Sequence, residues 1–244
     1  LVLRGIERLS GLQQLRPQYE IWRRDVAGRS PRMFNIGLDM LGTRLAIHSP
    51  QWPAALAPDR PLVMVCNHPF GIGDGIAALA LAEDLGRPFR VLLNRAFMRV
   101  PEVAPYALPI DFEETPEALA TNLATRKAAR AERISRADVL PVHFEGQNSA
   151  LFHAASRIAP SLRMSLLVAE FRRFMNAEVE VHIGAPLPYE SLRHFEAPQA
   201  LTDEIYIAVQ RLAPHNAGAS RERLLPPAQR ERPAFDAPLT RKRR

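Results

Sequence analysis

The sequence predicts an α/β domain: a mostly parallel central sheet flanked by helices and preceded by an N-terminal helical pair. Three observations carry this. A continuous apolar run of strand length occurs at Pro61–Cys66, the pattern of a strand buried on both faces, and Val139–Phe144 reads as a further strand. Stretches at helical spacing, rich in Ala and Leu, alternate with them at 76–85 and 116–133. No apolar run approaches the roughly 18 residues a membrane-spanning helix needs, yet 47% of the 244 residues are apolar, ample for a core.

Taken in order, residues 1–24 read as a helix, with Leu9, Leu12 and Leu15 on one face, Arg4, Arg8 and Arg16 on another, and a break at Pro17. A second helix is expected over 31–48, where Phe34, Leu38 and Leu41 recur at helical spacing. Pro50, Pro53 and Pro58 mark a turn-rich connection. The run 61–66, the helix 76–85 and a strand at Phe89–Leu93 then form one βαβ unit. Helices follow at 116–133, 160–175 and 202–212, and a strand alternating Val and Ile with charge at Glu178–Ile183. The expected organisation is therefore a helical N-terminal segment, 1–48, that can associate with membrane; an α/β domain, 49–213; and a Pro/Arg-rich tail, 214–244, without fixed structure.

The balance is basic, with 32 Lys and Arg against 26 Asp and Glu, a net charge of +6. Nearly all the bases are Arg, which suits phosphate or carboxylate partners. One cysteine, Cys66, excludes a disulfide framework and a cysteine-based zinc site, and no metal is expected. Aromatic residues are only 7% and form no RNA-binding signature, so nucleic acid is not an expected partner.

The stretch that carries chemistry is Asn67-His68-Pro69-Phe70-Gly71-Ile72-Gly73-Asp74-Gly75, between an expected strand and an expected helix. Ligands of open α/β sheets bind at the carboxyl ends of strands. A histidine there faces a cleft, and an Asp six residues on can turn back across the glycines to one ring nitrogen. That fixes the tautomer and stabilises the imidazolium, leaving the other nitrogen as a general base. The glycines permit a tight bend and close approach of a ligand. A dinucleotide fingerprint is a poor match, because Ile76 stands at its third glycine and Arg90 and Asn94 lie where an acidic residue should end the next strand. No Gly-x-Ser-x-Gly elbow of a serine hydrolase occurs.

This string resembles the His/Asp motif of the glycerolipid and lysophospholipid acyltransferases, the lysophosphatidic-acid acyltransferase superfamily. Within it the likeness is to a bacterial branch called hemolysin-like, whose motif reads Asn-His-Pro-x-Gly-x-x-Asp-Gly. Further blocks follow in the branch's order: Tyr19-Glu20 with Phe34, Leu38 and Leu41-Gly42; Asn94, Val100-Pro101-Glu102 and Leu108–Asp111; Leu140–Phe152; and Val181–Leu187. The family's Phe-Pro-x-Gly block, which holds the acceptor head group, does not stand before Leu140-Pro141-Val142. Either the block has been lost, or a segment is missing near 131–132, the explanation that a start at Leu1 rather than Met favours.

The resemblance implies transfer of a fatty acyl group from acyl carrier protein or coenzyme A to a hydroxyl of a lysophospholipid or lyso-ornithine lipid. No cofactor is implied beyond the acyl thioester as co-substrate. His68 and Asp74 become the catalytic pair; Asn67, Pro69, Phe70, Gly71, Gly73, Asn94, Arg95, Glu145, Gly146, Gln147 and Asn148 become candidates for holding substrate or bracing loops. His143, His153 and His182, set among apolar neighbours, read as structural, and Cys66 as an inert buried thiol. A cytoplasmic location is implied, peripheral to the inner face of a bacterial membrane. An anionic membrane surface would be met by the Arg-rich N-terminal helices or the helix 160–175. Two other readings stay open: hydrolysis of the acyl thioester, and a non-catalytic basic protein that binds membrane.

Overall fold

The computed structural model describes residues 12–53, 60–131, 136–146 and 170–226, the side chains from Leu15 onward. Residues 1–11, most of the helix expected at 160–175, the tail from 227 and the junction at 132 lie outside that description. The elements are α1 (Leu12–Asp25), α2 (Met33–Met40), β1 (Arg44–His48), β2 (Leu62–Cys66), α3 (Ile72–Asp84), β3 (Val91–Asn94), β4 (Ala107–Ile110), α4 (Pro116–Ala131), β5 (Asp138–Phe144), β6 (Glu178–Ile183) and α5 (Pro198–Arg211). Shorter helical turns join several of them.

The main sheet has the order β1-β6-β5-β2. β1 runs parallel to β6 and β2 parallel to β5, with Cys66 opposite Val142, while β5 and β6 meet antiparallel. Period two decides which side chains go inward. Leu140, Val142 and Phe144 of β5 and Val179, Val181 and Ile183 of β6 enter the core, where Ala77, Leu79, Ala80 and Leu81 of α3 and Met33, Phe34 and Leu38 of α2 meet them. Each such large side chain contributes about 1.5–3 kcal/mol on burial, so the sheet–helix seam is the main adhesive beneath the loop 67–75. The Glu83 carboxylate adds a join between α2 and α3 by accepting from the Phe34 and Asn35 amides at 2.9 and 3.0 Å.

Four expectations need correction. The helix expected over 31–48 stops at Met40: Gly42 takes φ +67°, its amide bonds Asp39 and that of Thr43 bonds Leu38, a left-handed stop that turns the chain into β1. β1 thus belongs to the sheet, although it lies within the segment read as helical. Pro17 sits inside α1 and does not break it. The strand after α3 does not join β2; it pairs with β4, Val91 opposite Ala107, in a separate two-stranded parallel sheet. Finally, the chain stays folded past residue 213, with turns at Pro214–Asn216 and Arg221–Leu224 and a buried Leu224. Among the described residues, no helix is long and apolar enough to cross a membrane.

Candidate active site

β2 ends at Cys66, and the next two residues set the geometry. Asn67 Nδ2 donates to the Phe144 carbonyl at 2.8 Å, and Asn67 Oδ1 accepts from the Phe144 amide at 2.7 Å. A side-chain amide thus takes the place of the next strand residue and pins the loop to the end of β5. His68 then leaves the sheet edge with its side chain 64% exposed, and its Nδ1 lies 2.8 Å from Oδ1 of Asp74, whose side chain is 0% exposed.

Asp74 is buried because α3 begins earlier than its Ala/Leu pattern suggests, at Ile72. The Asp therefore falls in the first helical turn, where the helix dipole favours a carboxylate. Its Oδ2 accepts from the Phe70 amide at 2.8 Å, reaching back across the turn to close the loop. Apart from the imidazole, Oδ1 has no protein donor. An ionised group this buried needs its partner. Hydrogen bonding to Asp74 accordingly raises the His68 pKa above its ordinary 6.5, helped by the carboxylate charge and opposed by desolvation. Among the described residues nothing occupies His68 Nε2. Cys66 offers no nucleophile: burial, with the Asp74 charge behind it, pushes its thiol up to about 11.

Glycines let aromatic rings wall the loop. Gly71 takes φ +69° where the chain turns into α3. A Cβ on Gly73 would meet the Phe174 ring at 2.5 Å. Gly146, at φ +128°, lies so close beneath Phe70 that a Cβ would overlap the ring. Phe70 and Phe174 touch at 6.1 Å between centroids, and Phe174 stacks on Phe171. Phe174 was not singled out in the sequence; it reads there as one aromatic residue of an amphipathic stretch, and only the missing Cβ of Gly73 betrays its place.

The other candidates divide. Pro69 lies half-buried within the loop. Asn94 and Arg95 make their contacts at the second sheet: Asn94 Oδ1 accepts from the Ala96 amide at 2.8 Å, and Arg95 meets Asp111 at 3.2 Å. Glu145 turns to His182, 3.3 Å away, on the sheet face opposite the main core. There His143, His182 and His48 stand in register across three strands. His143 is buried with Nδ1 unpartnered, and desolvation, together with His182 and His215, lowers its pKa. Gln147 and Asn148 lie outside the described residues. Among those described, no group of acidic, His and Cys side chains is placed to hold a metal ion.

Fold and loop together define a class of site: an imidazole presented to solvent from a sheet edge and held by a buried carboxylate. Comparison with known proteins narrows this. No family model matches the chain, and no solved structure matches it. The chain is similar to a protein of Phocaeicola vulgatus named lyso-glycine lipid O-acyltransferase, at 24% identity over 58% of this chain and 66% of the relative. It is similar at 24% identity to a protein of the same name from Bacteroides thetaiotaomicron, over 61% of this chain and 68% of the relative. The match thus spans about two thirds of each relative's length, just under it in the first. At this identity the likeness supports a lipid acyltransferase relationship and leaves the branch open.

Proposed function

We propose that this chain is an O-acyltransferase that moves a fatty acyl group from an acyl thioester to a hydroxyl of a lyso-lipid, with His68 as general base and Asp74 as its positioning partner. The observation that carries the reading is the contact between exposed His68 and buried Asp74. With Nδ1–H turned to the carboxylate, Nε2 keeps its lone pair for the acceptor hydroxyl. The hydroxyl oxygen attacks the thioester carbonyl as its proton passes to Nε2. The carbon–sulfur bond then breaks, and the imidazolium returns that proton to the departing thiolate, giving ester and free thiol. Asp74 stabilises the imidazolium between those transfers. General-base help of this kind is worth about 10²–10⁴-fold.

Acyl carrier protein or coenzyme A is the proposed donor. The names of the relatives add lyso-glycine lipids to the lysophospholipids and lyso-ornithine lipids already considered as acceptors. Pro69, Phe70, Gly71, Gly73 and Gly146 are proposed to shape the wall beside the reacting atoms, while Asn67, whose side chain engages the Phe144 backbone, braces it. Gln147 and Asn148 keep their proposed part in substrate binding, whereas Arg95 and Glu145 are engaged by Asp111 and His182. Transfer from a labelled acyl thioester to a panel of lyso-lipids, wild type against His68→Ala, tests the reading. Ester formation that disappears in the variant is expected; equal formation by both proteins removes the assignment, and release of free fatty acid without ester replaces transfer by hydrolysis.

A further inference from the structure

We infer that the outward face of α4, with the turn after β3, is the surface through which this protein docks on an anionic lipid bilayer. The inference deepens the proposed function and rests on it for the reason that the protein must meet lipid. Nine large apolar side chains are exposed among the described residues, and six of them fall between positions 92 and 123: Leu92, Phe97, Met98, Phe112, Leu119 and Leu123. The segments that bear them are linked through β4, which meets β3, the turn Arg95–Arg99 and α4, while the turn also meets β3. Phe112, at the end of β4, is 77% exposed. Concentration of this kind marks an interaction surface, whereas scattered exposed apolar residues do not.

The helix decides the partner. α4 holds the sheet through Ala118, Asn122 and Thr125, buried or bonded to the backbone of 109–111. Leu119, Leu123, Arg126 and Arg130 follow one another at spacings of four, three and four residues along a second stripe, with Lys127 beside them, and all five are exposed. Among the described residues none of the three cations has a carboxylate partner. Glu117 is the helix's own acidic residue, in the first turn, and the exposed Glu113 and Glu114 precede it, so the cations gather at the C-terminal half of α4. Apolar side chains flanked by unpaired cations fit an interfacial helix on anionic lipid.

α1, the surface expected from the sequence, is built differently. Its Arg16, Arg23 and Arg24 pair with Glu20, Glu102 and Asp25, and its Leu15 and Trp22 pack on the core.

Flotation of the full chain with vesicles of phosphatidylglycerol mixed with phosphatidylcholine, against phosphatidylcholine alone, tests the inference. Arg126→Gln, Lys127→Gln and Arg130→Gln combined should weaken binding to the anionic vesicles on the order of a hundredfold, at about fivefold per cation near the surface. Leu119→Glu with Leu123→Glu should abolish binding, while Arg16→Gln with Arg24→Gln leaves it intact. Circular dichroism melts confirm that the variants fold. Acyl transfer to a detergent-dispersed acceptor should not change in the α4 variants, so lost docking and lost chemistry are read separately. Unchanged vesicle binding by both α4 variants overturns the inference, as does a loss confined to binding of acyl carrier protein.

Discussion

Two imidazole–carboxylate contacts lie at the ends of neighbouring parallel strands, and their burial is opposite. After β2, exposed His68 meets a carboxylate shut away from water; after β5, Glu145 is 42% exposed and reaches a His182 that is only 16% exposed. The chemistry of the partners is the same, but the consequences differ. A buried Asp74 is little screened by water, so its hydrogen bond to the ring, with its charge behind it, raises the His68 pKa against desolvation, while the far nitrogen stays available. Glu145 is screened, the His182 nitrogen it faces is engaged, and the ring stacks on His48. The first pair leaves a ring nitrogen exposed, as the proposed proton transfer requires; the second links β5 to β6.

His68→Ala is the strongest way to break this contrast. Loss of the base should lower acyl transfer by about 10²–10⁴-fold, while His182→Gln leaves the rate near wild type; equal losses in the two variants would erase the distinction. Asp74→Asn should give a smaller deficit than His68→Ala and a displaced pH profile. Since the neutral ring is the active form, the rate rises with pH and levels off above the raised pKa; without the carboxylate charge that rise moves to lower pH. An unmoved profile would show that Asp74 does not tune the ring. The stabilisation from this pair has the opposite sense: it is full below 6.5 and fades as pH climbs through the raised folded value.

Gly146→Ala probes the wall beside the first pair. Its Cβ would displace Phe70 and sit at an unfavourable φ, so urea unfolding should show a loss of about 1–3 kcal/mol; an unchanged midpoint would mean that the Phe70 contact is loose. The smallest effect is expected at the second pair. Glu145→Gln should alter stability by no more than about 1 kcal/mol, because an exposed ion pair contributes little. A larger loss would show that the strands depend on it.

Much of this was legible beforehand, and the misses have physical causes. β2, β5 and β6 announce themselves because a buried strand must be apolar in a run or in alternation, and β6 matches its expected bounds, Glu178–Ile183. β1 was hidden because Leu45-Ala46-Ile47 is too short to oppose the helical period before it; the signal was Gly42, a left-handed stop. His68 and Asp74 could be paired by their spacing, since six residues crossing a glycine-rich bend span little distance. Asn67 read as a ligand contact, yet both ends of its amide are spent on Phe144, a residue 77 positions away.

By itself the sequence determined the strand–loop–helix order and the placing of His68 and Asp74 on either side of a bend, because those follow from periodicity and local backbone geometry. Only the tertiary structure decided which carboxylate would be sealed from water, which glycine would yield its space to which ring, and which basic helix would keep its cations without a carboxylate partner among the described residues. Burial and pairing depend on residues far apart in the chain, and no local pattern encodes them.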